Sequence, residues 1–197
     1  MDTQQDMDAT MQGKSIAGPV DIMIDIETNG LKPGCAIANI GTVTFGPNGP
    51  SAKHYFQGFA SVADERFVAD RGTMDWWLTK PEAVRALVFG GTEPIDLLLC
   101  KFTVYLTTYP VVRVWGNAAS FDLKILERAY EICGLELPWD YRNEMCYRTL
   151  KNLYPQIPYR KPRTGHEALE DAIAQATHAD EIFAYQASLM KGAGHGQ

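Results

Sequence analysis

The chain has 197 residues, of which 46% are hydrophobic and 21% charged, a composition typical of one globular domain. Its formal net charge of −6 argues against a protein that coats duplex DNA through bulk positive charge. No apolar run approaches the roughly 18 residues that a membrane-spanning helix needs, so we expect no membrane association.

The two ends of the chain differ from its middle. Residues 1–18 are polar and lack hydrophobic periodicity, which predicts a disordered N-terminal tail without a secretory signal. The glycine-rich residues 191–197 are predicted to be a disordered C-terminal tail. Residues 19–190 contain no linker or repeat and are predicted to form one domain, located in the cytoplasm. The four cysteines have no CxxC spacing, which favours reduced thiols over zinc binding.

The domain begins with the alternating pattern of β-strands. From Val20 onward, isoleucines at every second position lie on one face, while Asp25 and Glu27 lie on the other. Further strands are predicted at 36–45 and 54–59, where turn signals separate runs rich in β-branched and aromatic residues. These three segments indicate a β-meander.

The middle and the end of the chain have helical spacing. A short helix capped by Thr73, a second at 81–87 and a longer third at 95–106 are predicted. An apolar strand at 111–115 then leads to a helix with Ser120 as its N-cap.

A short strand or helix is predicted at 145–153, and a last helix at 167–189, whose alanines would allow close approach to a sheet. Strands and helices in this order predict an α/β fold with a mixed central sheet and helices on both faces.

Asp25 and Glu27 are candidate metal ligands, because a spacing of two places both carboxylates on one face of the strand. Without a cation they would repel each other and one would take up a proton, whereas a divalent metal removes that repulsion. The alternative is a solvent-facing pair on a half-exposed strand. Asp122 follows the strand at 111–115, where it either favours the helix dipole or contributes to a site at the end of the strand.

His166 and Asp171 form a second candidate pair. On one continuous helix, residues five apart point about 140° away from each other. They can serve one site only if the helix begins just after His166, as Thr164 and Gly165 favour. The imidazole would then be able to take a proton from an attacking water; the alternative is a helix cap or a solvated side chain.

Positive charge is concentrated between Tyr141 and His166, where only Glu144 opposes it. A local basic strip on an acidic protein fits contact with a few phosphates of a nucleic acid; the alternative is a solvated loop. The strip contains Arg142, Arg148, Lys151, Arg160, Lys161 and Arg163.

The ordered set Asp25-x-Glu27, Asp122 in an N-x-x-x-F-D context and His166-x4-Asp171 resembles the DEDDh 3′–5′ exonucleases, which have an RNase H-like fold. The stretches MIDIET, MDWWL, VWGNAASFD and HEALEDAIAQA resemble the phage DexA-type exodeoxyribonucleases and the RNase AS-type exoribonucleases. The similarity covers about residues 20–184. Two departures from this branch are Ala118, where glycine is frequent, and Leu123, where a polar residue is frequent.

This resemblance implies a hydrolase with two Mg²⁺ or Mn²⁺ ions per active site. Asp25 would bridge both ions, Glu27 and Asp171 would complete the first, Asp122 would serve the second, and His166 would be the general base. The enzyme would release nucleoside 5′-monophosphates from 3′ ends of single strands. We expect DNA as the substrate, with RNA as the alternative and an inactive nucleic-acid-binding protein as a second one. Relatives are often dimers, so a homodimer is a further expectation.

The predicted substrate contacts follow from position. Residues directly after the first strand would meet the terminal nucleotide, and one of the adjacent Trp76 and Trp77 would stack a base while the other is buried. Asn117 precedes Asp122, and the basic strip would guide phosphates. The predicted set is Thr28, Asn29, Gly30, Leu31, Trp77, Asn117, Arg148 and Arg163.

Overall fold

The structure is a computed structural model that describes residues 20–46, 49–51, 54–162 and 165–193. The predicted N-terminal tail, residues 1–18, lies outside the described residues. The last helix continues to Ala193, three residues past the predicted domain boundary at 190. The remainder of the predicted C-terminal tail lies outside the described residues.

A five-stranded mixed sheet forms the centre of the fold, in the order β3-β2-β1-β4-β5. The first three strands pair antiparallel, whereas β4 is parallel to both β1 and β5. The predicted mixed sheet is confirmed, and β1 lies at its centre. The strands are β1 (Val20–Thr28), β2 (Ile37–Phe45), β3 (Tyr55–Phe59), β4 (Val111–Gly116) and β5 (Glu144–Cys146).

Helices cover both faces of this sheet, as predicted. On one face, Ile22 and Ile24 of β1 join the apolar side chains of α3 and α4 in the larger core. On the other face, Met23 lies in a smaller core with Tyr147 of α5 and the alanines of α6. The helices are α1 (Arg71–Leu78), α2 (Glu82–Phe89), α3 (Ile95–Thr107), α4 (Asp122–Ile132), α5 (Tyr147–Leu153) and α6 (Ala168–Ala193), with a 3₁₀ turn at Tyr141–Asn143.

Two predicted helix caps are wrong. The Oδ2 atom of Asp70 caps α1 by accepting a hydrogen bond from the Thr73 N–H at 2.8 Å, so Thr73 lies inside the helix. The residue before α4 is Phe121, with no side-chain cap, and Ser120 lies in the preceding turn. Thr73 and Ser120 are both close to a helix start, but the N-cap positions are occupied by Asp70 and Phe121.

The start of α6 lies directly on β2. Gly41 is opposite Asp25 in the strand register, and a Cβ at Gly41 would come within 2.1 Å of the backbone nitrogen of Leu169. The Ala168 N–H donates to Oδ1 of Asn39 at 3.2 Å, which ties the first turn of α6 to the same strand. Of the alanines predicted to allow close approach, Ala168, Ala172 and Ala176 are fully buried, whereas Ala174 is half-buried. As a result of this packing, the first turns of α6 lie over β1.

Among the helices in the described part of the chain, none is both long and apolar enough to cross a lipid bilayer.

Candidate active site

Three carboxylates from distant parts of the chain meet between β1 and α6. Asp25 and Glu27 extend from β1 toward the helix, and Asp171 extends from the first turn of α6. Their ligand oxygens all lie within 4.8 Å of one another. Asp25 is buried, while Glu27 and Asp171 are half-buried, so the cluster is partly accessible to solvent. The solvent-facing alternative for Asp25 and Glu27 is therefore wrong, because α6 covers that face of the sheet.

Asp122 lies close to this cluster without belonging to it. It is the first residue of α4, directly after β4, which neighbours β1 in the sheet. Its side chain is buried, and its Oδ2 atom has no hydrogen-bond partner among the described residues. A Cβ at Gly116 would lie 3.1 Å from that oxygen, so the missing side chain leaves room for the carboxylate.

The four acids are held in an environment that disfavours their charged forms. Burial, together with the negative charges of Asp171 and Asp122, raises the pKa of Glu27 to about 8. Burial raises the pKa of Asp122 to about 7. Burial and the charges of Asp122 and Glu27 raise the pKa of Asp25 well above its usual range. Crowded carboxylates of this kind are stabilised by a bound cation, which offsets their mutual repulsion.

Asp171 has a partner that reduces this penalty. Burial raises its pKa, but the backbone N–H of His166 donates to its Oδ2 atom at 3.1 Å and lowers the pKa. His166 itself lies in the left-handed region with a φ of 65°, two residues before α6 begins. The prediction that the helix begins after His166 is confirmed, and this turn brings the two residues together.

The His166 ring lies against aromatic side chains. Its centroid is 4.9 Å from that of Trp76 and 5.8 Å from that of Trp77, both in edge-to-face geometry. Burial and the positive charges of Lys80 and Lys161 lower the pKa of His166, although Asp171 acts in the opposite direction. The lowered pKa favours the neutral imidazole, the form that accepts a proton.

Gln175 is a site residue that the sequence reasoning missed. Its side chain is 2% exposed, and its Nε2 atom donates to Oδ1 of Asp25 at 2.7 Å. The signal in the sequence was its position four residues after Asp171, which puts both side chains on one face of α6.

A family model described as the 3′–5′ exoribonuclease Rv2179c-like domain matches residues 20–183. The matched residues contain the four acids and His166. The chain belongs to the Rv2179c-like family. The description of this family agrees with the 3′–5′ exonuclease class predicted from the sequence. A search of curated proteins found no match.

Solved structures of nucleases share the fold of this Rv2179c-like domain. The nuclease domain of 3′hExo, a DEDDh family member bound to rAMP, aligns with a TM-score of 0.61 and 12% identity over 87% of this chain and 95% of that domain. E. coli exonuclease I in complex with a dT13 oligonucleotide aligns with a TM-score of 0.67 and 13% identity over 88% of this chain. Cell-death related nuclease 4 (CRN-4) aligns with a TM-score of 0.59 and 13% identity over 85% of this chain.

These similarities confirm the predicted RNase H-like exonuclease fold. The chain spans 43% of the aligned exonuclease I chain and 65% of the CRN-4 chain, so those proteins contain further segments.

The two tryptophans of the Rv2179c-like domain have different environments. Trp77 is 2% exposed, and its indole N–H donates to the carbonyl oxygen of Thr28 at 2.9 Å. The predicted substrate contact of Trp77 is wrong, because its ring is packed in the core against Phe89. Trp76 is 42% exposed, with the Lys80 Nζ 4.0 Å from its ring centroid. The expectation that one of the pair is buried and the other exposed is confirmed.

Most residues after β1 form a turn rather than a substrate surface. The Thr28 hydroxyl donates to the carbonyl oxygen of Gly30 at 2.7 Å, and Oδ1 of Asn29 accepts from the Ala36 N–H at 3.0 Å. Predicted substrate contacts through the side chains of Thr28 and Asn29 are therefore wrong, because both are buried and used within the turn. Leu31 is 68% exposed, and with Gly30 it lines a groove of about 390 Å³.

Of the remaining predicted contacts, Arg148 and Asn117 lie beside Asp122. The Arg148 guanidinium donates to the carbonyl oxygen of Asn117 at 3.2 Å, and its charge acts to lower the pKa of Asp122. The Oδ1 atom of Asn117 is buried without a partner among the described residues. Arg163 lies outside the described residues.

The basic strip is partly neutralised by acids. Arg142 pairs with Asp140 at 3.0 Å, and Arg160 lies 3.6 Å from Glu181. The alternative of a solvated basic surface therefore fits these two residues. Two other members lie nearer the acids: the charge of Arg148 acts to lower the pKa of Asp122, and the charge of Lys161 acts to lower the pKa of Asp171.

The two departures from the exonuclease pattern have structural explanations. Ala118 has a φ of 81°, in the left-handed region where glycine is unstrained. Leu123 is fully buried in the larger core. Neither side chain belongs to the acidic cluster.

Proposed function

We propose that the protein is a divalent-metal-dependent 3′–5′ exonuclease that releases nucleoside 5′-monophosphates from single-stranded ends. The observation that carries this proposal is the meeting of Asp25, Glu27 and Asp171, whose oxygens lie within 4.8 Å of one another. Membership of an exoribonuclease family supports the class of reaction.

The side chains fit hard divalent cations. Every ligand in the cluster is a carboxylate oxygen, and oxygen ligands suit Mg²⁺ or Mn²⁺ better than zinc. Asp25, Glu27 and Asp171 would hold the first cation, and Asp122 with Asp25 would hold the second. When bound, two cations neutralise the phosphodiester, promote attack by water and stabilise the departing 3′ oxygen.

His166 is proposed as the general base. Its lowered pKa favours the neutral imidazole, which accepts a proton from the attacking water at neutral pH. The backbone bond to Asp171 and the edge-to-face contact with Trp76 hold the residue next to the acidic cluster. The left-handed backbone at His166 is part of this placement.

Three exposed side chains are proposed to contact the nucleic acid strand. Trp76 offers a ring on which a base can stack, next to His166. Arg148 is exposed beside Asp122 and is placed to attract a phosphate. Leu31 borders the groove at the end of β1 and would contact the terminal nucleotide.

RNA is the substrate that we propose. The matched family is described by exoribonuclease activity, which favours RNA over the DNA expected from the motifs. This choice also favours the RNase AS-type side of the branch over the DexA-type side. The solved relatives include one bound to rAMP and one bound to a dT13 oligonucleotide, so both substrates belong in the test.

The test is digestion of matched single-stranded RNA and DNA labelled at the 5′ end, with Mg²⁺ and then with a chelator. A ladder that shortens from the 3′ side, disappears with chelator and is absent for Asp25→Ala is expected. Internal cuts would indicate an endonuclease, and binding without cleavage would indicate an inactive binding protein. Either result, or activity that survives chelation, would contradict the proposal.

A further inference from the structure

The α6 helix brings a neutral side chain to the acidic cluster as well as Asp171. Gln175 lies one turn after Asp171 and is 2% exposed. Its Nε2 atom donates to Oδ1 of Asp25 at 2.7 Å. Asp25 is thus held from α6 by a neutral donor, while the charges of Asp122, Glu27 and Asp171 raise its pKa.

The amide of Gln175 is only half satisfied. Its Oε1 atom is buried and has no hydrogen-bond partner among the described residues. A buried acceptor without a donor costs free energy of folding, and an apolar side chain of similar volume would avoid that cost. The contribution of this amide to the molecule therefore lies in its N–H group and the carboxylate that it contacts.

The direction of this hydrogen bond suits a metal ligand. A carboxylate oxygen has two lone pairs, and the bond from Gln175 occupies one of those on Oδ1. The bond therefore fixes the rotation of the Asp25 carboxylate and leaves its other lone pairs available. Glu27 and Asp171 offer oxygens within 4.8 Å of those of Asp25, so the fixed carboxylate is aligned with both.

We propose that Gln175 is a positioning residue that holds the Asp25 carboxylate in the orientation that cation binding requires. This inference rests on the proposed function, since it assigns to Asp25 the role of a metal ligand. Removal of residues that orient metal ligands through hydrogen bonds typically reduces metal affinity about 10–100-fold.

The experiment is calorimetric titration of the full chain with Mn²⁺ in the absence of nucleic acid, together with thermal unfolding of the metal-free protein. The test variant is Gln175→Met, which keeps the side-chain volume and removes the donor. The matched control is Gln186→Met, because Gln186 lies on the same helix and donates to the Tyr154 hydroxyl at 2.6 Å, away from the acids.

The expected result is an affinity for Mn²⁺ about 10–100-fold weaker for Gln175→Met, with a metal-free Tm that is unchanged within about 2 °C or higher. Gln186→Met should bind Mn²⁺ like the wild type. A purely structural role for Gln175 would produce the opposite pattern, with a lower Tm and unchanged affinity, and would overturn the inference.

A second variant covers the case in which Gln175→Met does not fold. Gln175→Asn keeps an amide but is too short to reach Asp25, so it should show the same loss of affinity. Unchanged affinity, or failure of both variants to fold, would overturn the inference. If the wild type itself does not bind Mn²⁺, the proposed function fails, whereas wild-type binding with unaffected variants rejects only the role of Gln175.

Discussion

Both faces of β1 are covered by helices, but their chemistry differs toward the end of the strand. On one face, Ile22 and Ile24 pack in the larger core with α3 and α4. On the other face, Asp25 and Glu27 lie beneath α6 with two further acids nearby. Burial of the isoleucines stabilises the fold, whereas burial of the carboxylates opposes it. A single alternating strand therefore separates the residues that hold the domain together from those proposed to perform its chemistry.

The largest expected effect comes from the acidic face. Asp25→Asn keeps the shape of the side chain and removes a charge from the cluster, so we expect exonuclease activity to fall on the order of 10³-fold or more. The metal-free protein should be as stable as the wild type or more stable, because repulsion with Glu27 and Asp122 is reduced. Single-turnover cleavage and thermal unfolding measure the two effects. Retention of near-wild-type activity would remove Asp25 from the site.

Ile24, next to Asp25 in β1, provides a test of the apolar face of the strand. Ile24→Ala leaves a cavity in the larger core, where Ile24 is fully buried, and should cost about 2–5 kcal/mol of stability. Activity per folded molecule should change little at a temperature at which the variant is folded. Urea unfolding gives the stability. A large loss of activity in the folded variant would show that the two faces are coupled.

Variants of the adjacent Trp76 and Trp77 should likewise differ, one affecting binding and the other stability. Trp76→Ala should weaken binding of a single strand by about 1–3 kcal/mol with little change in stability, because it removes an exposed stacking surface. Trp77→Ala should destabilise the fold by about 3–5 kcal/mol, because it removes a buried ring and its bond to Thr28. Equilibrium binding and unfolding measurements distinguish them. Equal effects of the two variants on binding would contradict the assignment of Trp76.

The pH dependence of stability reports on Glu27 of the acidic face, together with Asp122 and Asp180, whose pKa values burial raises to about 7. The pKa of Glu27 is raised from 4.5 to about 8, so its protonated form is favoured in the folded protein. Its contribution to stability is fully present below the unfolded value and is lost as the pH rises through the folded value. Metal-free protein should therefore have a lower Tm at about pH 8.5 than at about pH 5.5.

Added Mg²⁺ should restore much of the stability at the higher pH, because a bound cation favours the ionised acids. Glu27→Gln should reduce the dependence of the metal-free Tm on pH. A profile that is the same with and without Mg²⁺ would contradict cation binding at this face.

The smallest expected effect concerns the turn before α4. Ala118→Gly relieves a left-handed backbone, which costs roughly 1–2 kcal/mol for alanine, against the loss of about 0.8 kcal/mol for a buried methyl group. We expect its stability to equal or slightly exceed that of the wild type. Ala129→Gly, in the middle of α4 with its methyl group buried in the core, should lose about 2 kcal/mol, from about 1 kcal/mol of helix propensity and about 0.8 kcal/mol for the methyl group. If both variants lose the same stability, the turn is not strained.

The sequence predicted the features that depend on periodicity and order. Alternation in β1 placed Asp25 and Glu27 on one face, and the run of strands and helices indicated a mixed sheet covered on both sides. The spacing of His166 and Asp171 required a helix start between them, which the structure has at Ala168. These features are local or follow from chain order, so they can be read without tertiary contacts.

The remaining features depend on which surfaces pack together. Nothing local distinguishes Trp76 from Trp77, because the choice depends on the contact of Trp77 with the end of β1. Asn29 looked like a substrate ligand, but it closes the turn to Ala36. The role of Gln175 became visible only when α6 was placed over β1.

The absence of a side chain at Gly41 has a consequence for the dimensions of the acidic cluster. The backbone of α6 rests on this residue, directly opposite Asp25. Any larger residue at this position would push α6 away from the sheet and move Asp171 and Gln175 away from β1. The distance between the carboxylates of β1 and those of α6 in the proposed cation site therefore depends on the absence of a side chain at Gly41, a residue on a neighbouring strand that has no functional group of its own.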